Sequence, residues 1–194
     1  MIMFFSRKQY EGLSFTKLRV RIGLTFIVIL IMMAKPDTPA LFVAGLIISI
    51  MGELIRIWSS GHINKSCELT TSGPYAHTRN PLYIGNFLIG FGLCLALTSP
   101  PIYRGAGLWF CFIVGFYEIY LVQISREEEV LLRKYPEEFE KYRKAVPYFL
   151  PLLKPYSGSV RKKFSFELFK KNHEYRMAGA VLVIYLIFFL RRKF

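Results

Sequence analysis

The sequence predicts an all-α, polytopic integral membrane protein of about five transmembrane helices, and three observations carry that expectation. Of 194 residues, 53% are hydrophobic and 16% aromatic, rich for a soluble domain of this size but ordinary for a small membrane protein. The apolar residues gather into long runs separated by short polar turns or longer polar segments. Basic residues collect at the ends of those runs that would share one side of a bilayer.

Residues 18–34 form the first run, with Arg19 and Arg21 at its start, and are just long enough to span. The turn Lys35-Pro36-Asp37-Thr38-Pro39 sends the chain back through 40–58, so 18–58 reads as a helical hairpin. Near its end Glu53 and Arg56, three residues apart, can pair on one helix face. Residues 59–80 are polar and broken by Gly61, Gly73 and Pro74, as an irregular segment at the membrane surface would be.

The third span is expected over 82–98 and, after Ser99-Pro100-Pro101, the fourth over 102–124. Residues 126–142 have helical periodicity, with Pro136 placed to divide them into two helices. A basic stretch at 161–171 precedes a short apolar run, 177–190. This run is taken as a fifth span because the basic residues before it outnumber Arg191, Arg192 and Lys193 after it. An interfacial or re-entrant helix is the alternative. The expected organisation is one membrane unit over 1–194, with a catalytic core at 67–153 and a basic segment plus last helix at 161–194.

The net charge of +13 does not point to nucleic acid, because the basic residues flank apolar runs instead of lining a soluble face studded with aromatics. Membrane lipids are the expected partner. Arg7 and Lys8 lead into a polar stretch, so no cleavable signal peptide is expected. Cys67, Cys94 and Cys111 form no CxxC pair, and no metal site is expected. Basic residues place the N-terminus and both long polar segments in the cytosol.

Two polar clusters, separated by the third and fourth spans, then share the cytosolic face, because an even number of crossings returns the chain to its starting side. The first runs over 69–85, where Asn80-Pro81 opens a helix; Pro81 sits in the first turn, and the free amides there suit a carboxylate. The second is Arg126-Glu127-Glu128-Glu129, whose carboxylates can face an amine or a sulfonium. A solvated charged helix start would look the same by periodicity. Tyr75 and Tyr83 are candidates for interfacial anchors, and His62 and His77 read as surface or interfacial residues. Glu118, inside the fourth run, is either functional or paired with Arg56 across helices.

The pattern Gly73-x-Tyr75-x-x-x-Arg79-Asn80-Pro81-x-Tyr83-x-Gly85, then Glu127-Glu128, Tyr135-Pro-Glu-Glu-Phe139-x-x-Tyr142 and Val146-Pro147-x-x-Leu150-Pro151, resembles the isoprenylcysteine carboxyl methyltransferases. The resemblance extends over 67–153. It implies an enzyme that transfers a methyl group from S-adenosyl-L-methionine to the carboxylate of a C-terminal prenylated cysteine. It further implies cofactor contacts at Cys67, Glu68, Leu69, Thr70, Tyr75, Arg79, Asn80, Pro81, Leu82 and Tyr83. With Tyr135, Phe139 and Tyr142 as a ruler, the family's cofactor glutamate falls on Glu127, with Glu128 next. Asn80 stands where the family usually has histidine, and Gln123 where it has a carboxylate-binding arginine; Arg126 lies nearby without matched spacing. Gln123, Arg126 and Glu127 are thus the candidates for the catalytic positions. A lipid amine, a phenol or another lipid-like molecule is the alternative acceptor. A nicotinamide-dependent reductase of the same fold and a non-catalytic scaffold or transporter are the readings from other classes.

Overall fold

The computed structural model describes residues 25, 36–64, 68–98, 102–117 and 122–192. Among these the architecture is all-helical, with seven α-helices, one 3-10 turn and no strand. The expected first span at 18–34 lies outside the described residues apart from position 25, and so does Glu118.

Helix α1 (Pro39–Ser60) starts on a proline, whose fixed φ and missing amide suit the first turn. Its buried positions Phe42, Gly45, Ser49, Gly52 and Glu53 recur at three- and four-residue intervals, so one stripe faces inward. That stripe packs antiparallel on α2 (Pro81–Ala96), where Gly85, Ile89, Gly92 and Ala96 form the matching row. The backbones approach so closely that a Cβ on Gly52 would lie 2.7 Å from the Gly85 carbonyl oxygen. Small residues at a helix crossing are how helices associate in lipid, where hydrophobic driving force between them is absent.

Helix α3 (Ile102–Phe116) closes the other side of α2 through aromatics. Phe91 meets Trp109 at 4.9 Å between ring centres and Phe87 meets Phe112 at 5.5 Å. Helix α7 (Glu174–Arg192) runs antiparallel to α1, with Arg56 and Glu174 2.5 Å apart near one end and the Tyr185 and Ser49 hydroxyls 2.8 Å apart midway. Two shorter helices, α4 (Val122–Lys134) and α5 (Pro136–Ala145), meet at Tyr135. Pro136, lacking an amide and disfavouring a helical Tyr135, divides them as the sequence predicts. Helix α6 (Phe166–Lys171) is a short element capped by Ser165, whose hydroxyl accepts from the Leu168 amide.

One described helix, α1, is long and apolar enough to cross a membrane. Its outward face exposes Val43, Ile47, Ile50, Met51 and Leu54, and the outward face of α7 exposes Leu182, Val183, Leu186 and Phe189. Helices α2 and α3 are apolar but shorter. The run expected as a single fourth span, 102–124, is described as α3 and the start of α4, with 118–121 outside the described residues.

Two local expectations are corrected. Arg56 makes its hydrogen bonds to Asn86 on α2 and Glu174 on α7 instead of to Glu53, because the α1 stripe faces both helices there. The Glu53 carboxylate oxygens are buried with no hydrogen-bond partner among the described residues. His62 is not a surface residue but only 4% exposed. Gly73, at φ +57°, turns the loop back over it, and Ser72 and the Phe164 ring complete its enclosure. His77 is half-buried, with Nδ1 2.7 Å from the Leu152 carbonyl oxygen.

Candidate active site

The first polar cluster is held by α5 and the segment that follows it. Tyr142 Oη donates to the Tyr75 carbonyl at 2.6 Å, and the Arg79 amide donates to the Pro147 carbonyl at 3.0 Å. The amides of Leu152 and Tyr156 donate to His77 and Ala76, each at 2.8 Å, and Thr78 Oγ1 donates to the Phe149 carbonyl at 3.0 Å. The Val146-Pro147 motif thus has a structural reason: it lays an extended strip of backbone along residues 75–80, leaving few free polar groups behind the site.

Asn80 sits at the N-cap of α2, yet its side chain does not cap the helix. Its Nδ2 donates to the Tyr148 carbonyl at 3.0 Å, while its own carbonyl accepts from the amides of Tyr83 and Ile84. The helix start therefore offers fewer free amides to a carboxylate ligand than the sequence suggests.

Helix α4 brings the second cluster against the first. Glu127 Oε1 accepts from Tyr83 Oη at 2.8 Å and from Gln123 Nε2 at 2.9 Å. Arg79 Nη1 stands 3.3 Å from Glu128 Oε2, with the two side chains 12% and 19% exposed. That approach lacks hydrogen-bonding geometry, so Arg79 Nη1 joins Arg79 Nε, Glu128 Oε1, Thr70 Oγ1 and Tyr75 Oη as buried polar atoms with no hydrogen-bond partner among the described residues.

Between the clusters lies a cavity of about 730 Å³. Its wall includes Glu68, Leu69, Thr70, Tyr75, Arg79, Asn80, Pro81, Leu82 and Tyr83 from the first cluster, and Gln123, Arg126, Glu127 and Glu128 from α4. Every described residue that the resemblance assigns to the cofactor or catalytic positions is present, whereas Glu129 of the second cluster is not; Cys67 lies outside the described residues. Arg126 is exposed at the cavity wall. Leu131, Tyr135, Phe139 and Tyr142 supply an apolar and aromatic side.

The sequence reading missed Arg56, Asn86, Glu174 and Lys134 as lining residues. Arg56 and Glu174 are 118 positions apart, and nothing in their local sequence joins them. The only signal is that Glu174 is an acid at the mouth of an apolar run, where an unpaired carboxylate would be costly.

The lining carries four basic residues, Arg56, Arg79, Arg126 and Lys134, and four acidic ones, Glu68, Glu127, Glu128 and Glu174. Such a wall suits a ligand bearing both signs of charge. Burial, reinforced by the neighbouring Tyr142, holds the Tyr75 phenol well above its ordinary range, and burial raises Tyr142 too. Both stay neutral rather than acting as bases, and Tyr142 serves as a hydrogen-bond donor. Orphaned buried groups around a cavity of this size fit a molecule such as S-adenosylmethionine, which carries an amine, a carboxylate and a sulfonium beside a nucleoside. Among the described residues no cluster of His, Cys, Asp and Glu is arranged for a metal.

A helical bundle with exposed apolar faces and a charged small-molecule cavity at its helix ends is the class that fold and site define. The chain belongs to the phospholipid methyltransferase family, whose pattern it matches over residues 39–138. It is 33% identical over 119 residues to the nickel-cobalt-cadmium resistance protein NccN of Alcaligenes xylosoxydans xylosoxydans, covering 59% of this chain and 51% of that one. It is 30% identical over 126 residues to the protein-S-isoprenylcysteine O-methyltransferase of Xenopus laevis, covering 59% and 42%. It is also 34% identical over 86 residues to the methanethiol S-methyltransferase of Crocosphaera subtropica, covering 44% and 30%. The chain thus spans between 30% and 51% of these relatives' lengths. No solved structure matches it significantly.

Proposed function

We propose that the protein is a membrane methyltransferase that uses S-adenosyl-L-methionine to methylate the C-terminal carboxylate of an isoprenylated cysteine. The observation that carries this reading is the cavity between the start of α2 and α4, where Tyr83 and Gln123 both donate to Glu127 and where Thr70, Tyr75, Arg79 and Glu128 line the same space. The proposed arrangement is a five-span, multi-pass protein with the site facing the cytosol. It comprises a hairpin at 18–58, a catalytic core at 67–153 and a basic segment with the last helix at 161–194.

S-Adenosylmethionine, when bound, supplies a methyl group on a positively charged sulfur. A C-terminal carboxylate, with a pKa of about 3.5, is already ionised at neutral pH, so attack on that methyl needs no general base. The residues' work is therefore binding, alignment and exclusion of water. Tyr83 and Gln123 fix the Glu127 carboxylate so that it holds a positive group of the donor. Arg79 and Glu128, an oppositely charged pair on the cavity wall, would hold the donor's carboxylate and amine. Thr70 and the Tyr75 phenol bind uncharged polar groups. Holding two reactants in line contributes roughly 7 to 11 kcal/mol, and a lipid-bearing acceptor reaches the site with its tail in hydrocarbon.

A different acceptor, a lipid amine, a thiol or another lipid-like molecule, is favoured by one feature. Gln123, at the resemblance's arginine position, is neutral and donates to Glu127, so that position offers no cation to an acceptor carboxylate. Relatives bearing the names protein-S-isoprenylcysteine O-methyltransferase and methanethiol S-methyltransferase fit either acceptor class. The test is calorimetric binding of S-adenosylhomocysteine to detergent-purified protein, followed by assays of methyl transfer to a farnesylated cysteine peptide, a lipid amine and an alkyl thiol. No affinity would reject the enzyme reading. Affinity with transfer to the amine or thiol alone would reject the carboxylate.

A further inference from the structure

The segment between α5 and α7 is covered poorly for its composition. Val160 is 58% exposed, Phe164 43% and Phe166 61%. Interleaved with them are exposed Arg161, Lys162, Lys163, Lys170 and Lys171, against one acid, Glu167. A soluble surface does not ordinarily leave aromatics uncovered among so many like charges.

The position of this segment along the bundle is fixed. The Ser165 amide donates to the Gly61 carbonyl at 2.9 Å, and Asn172 Nδ2 donates to the carbonyls of Ser60 and Ile63 at 2.9 and 3.0 Å. Gly61 directly follows α1, and α7 begins two residues after Asn172. The segment therefore lies level with the ends of the two helices whose outward faces are apolar. At that level a bilayer has its headgroups. Anionic phosphates complement the lysine and arginine charge, while rings and aliphatic side chains enter the boundary with the acyl chains. A soluble acidic partner would satisfy the charges and leave Phe166 and Val160 unmet.

We infer that residues 160–171 form a docking surface for the anionic phospholipid headgroups of the bilayer in which the protein sits. The inference rests on the proposed reading that α1 and α7 cross that bilayer. The surface is also joined to the cavity rim: Lys162 pairs with Glu68, and Lys171 Nζ donates to Asn64 at 3.2 Å, both lining residues. Headgroups that engage these lysines compete directly with the contacts that hold the rim.

Full-length protein in phosphatidylcholine nanodiscs, doped with spin-labelled phosphatidylglycerol or spin-labelled phosphatidylcholine, tests this by the fraction of label immobilised on the protein. Wild type is expected to prefer the anionic label about threefold or more, and the preference falls toward unity at high salt. An Arg161→Gln, Lys163→Gln double variant, with unaltered S-adenosylhomocysteine affinity as its check of folding, loses most of the preference. Inorganic phosphate at matched ionic strength leaves it in place. Equal immobilisation of the two labels by wild type, an unchanged preference in the double variant, or displacement by inorganic phosphate would each overturn the inference. Protein that does not enter nanodiscs at all would instead remove the spanning reading and this inference with it.

Discussion

Tyr83 and Glu127, 44 residues apart, meet at 2.8 Å between phenol and carboxylate and so join the two polar clusters across the cavity. The phenol donates to an ionised group, a type of bond worth roughly 1.5 to 3 kcal/mol. Tyr83→Phe is therefore expected to weaken S-adenosylhomocysteine binding by about tenfold or more. Glu127→Ala, which removes the acceptor as well, should weaken it further, both read by calorimetry.

The approach of Arg79 to Glu128 is mostly shielded from water, so breaking it leaves a poorly solvated charge. Arg79→Ala should cost roughly 3 kcal/mol of stability, with Glu128→Gln milder because the amide remains neutral. Thermal unfolding in detergent distinguishes them. Equal losses would mean that the pair's charge is irrelevant.

The crossing of α1 and α2 predicts a sharp size limit. Gly52→Ala places a methyl 2.7 Å from the Gly85 carbonyl oxygen and 2.9 Å from the Ile89 nitrogen, both backbone atoms unable to swing aside. A loss of about 1 to 3 kcal/mol is expected. Gly107→Ala on α3, where an added Cβ meets nothing within 4 Å among the described residues, serves as the control and should be neutral or slightly stabilising.

Burial holds His62 below its ordinary pKa, because charging the ring inside the loop is unfavourable. The unfolded chain then binds the proton more readily than the folded one. The stability contributed by the neutral ring is present above pH of about 6.5 and is lost as pH falls through the lower folded value. Unfolding temperatures measured from pH 7.5 down to 5 should fall, less steeply in His62→Gln than in wild type.

Much of this arrangement is legible in the sequence, for physical reasons that differ by element. Pro81 and Pro136 are legible as points where a helix begins, because a missing amide costs nothing there, and each opens a helix; Pro39, read as part of the turn, opens one too. The family resemblance singles out Tyr75, Arg79, Tyr83, Glu127 and Glu128, and these residues line one cavity. Other features are tertiary. Arg56 has acids both three residues away and 118 positions away, and only the packing of α7 decides for Glu174. Asn80 looks like an ordinary helix cap until residues 146–151 run alongside and take its amide. His62 looks exposed until Gly73 folds the loop over it.

The central claim is that Tyr83 on α2 and Glu127 on α4 act as one unit of a single donor-binding cavity. A double-mutant cycle of Tyr83→Phe and Glu127→Gln, read by S-adenosylhomocysteine affinity of the full chain, measures that directly. A coupling of about 1 kcal/mol is expected, so the second substitution costs clearly less once the first is made. Fully additive losses, or wild-type protein with no affinity, would contradict it.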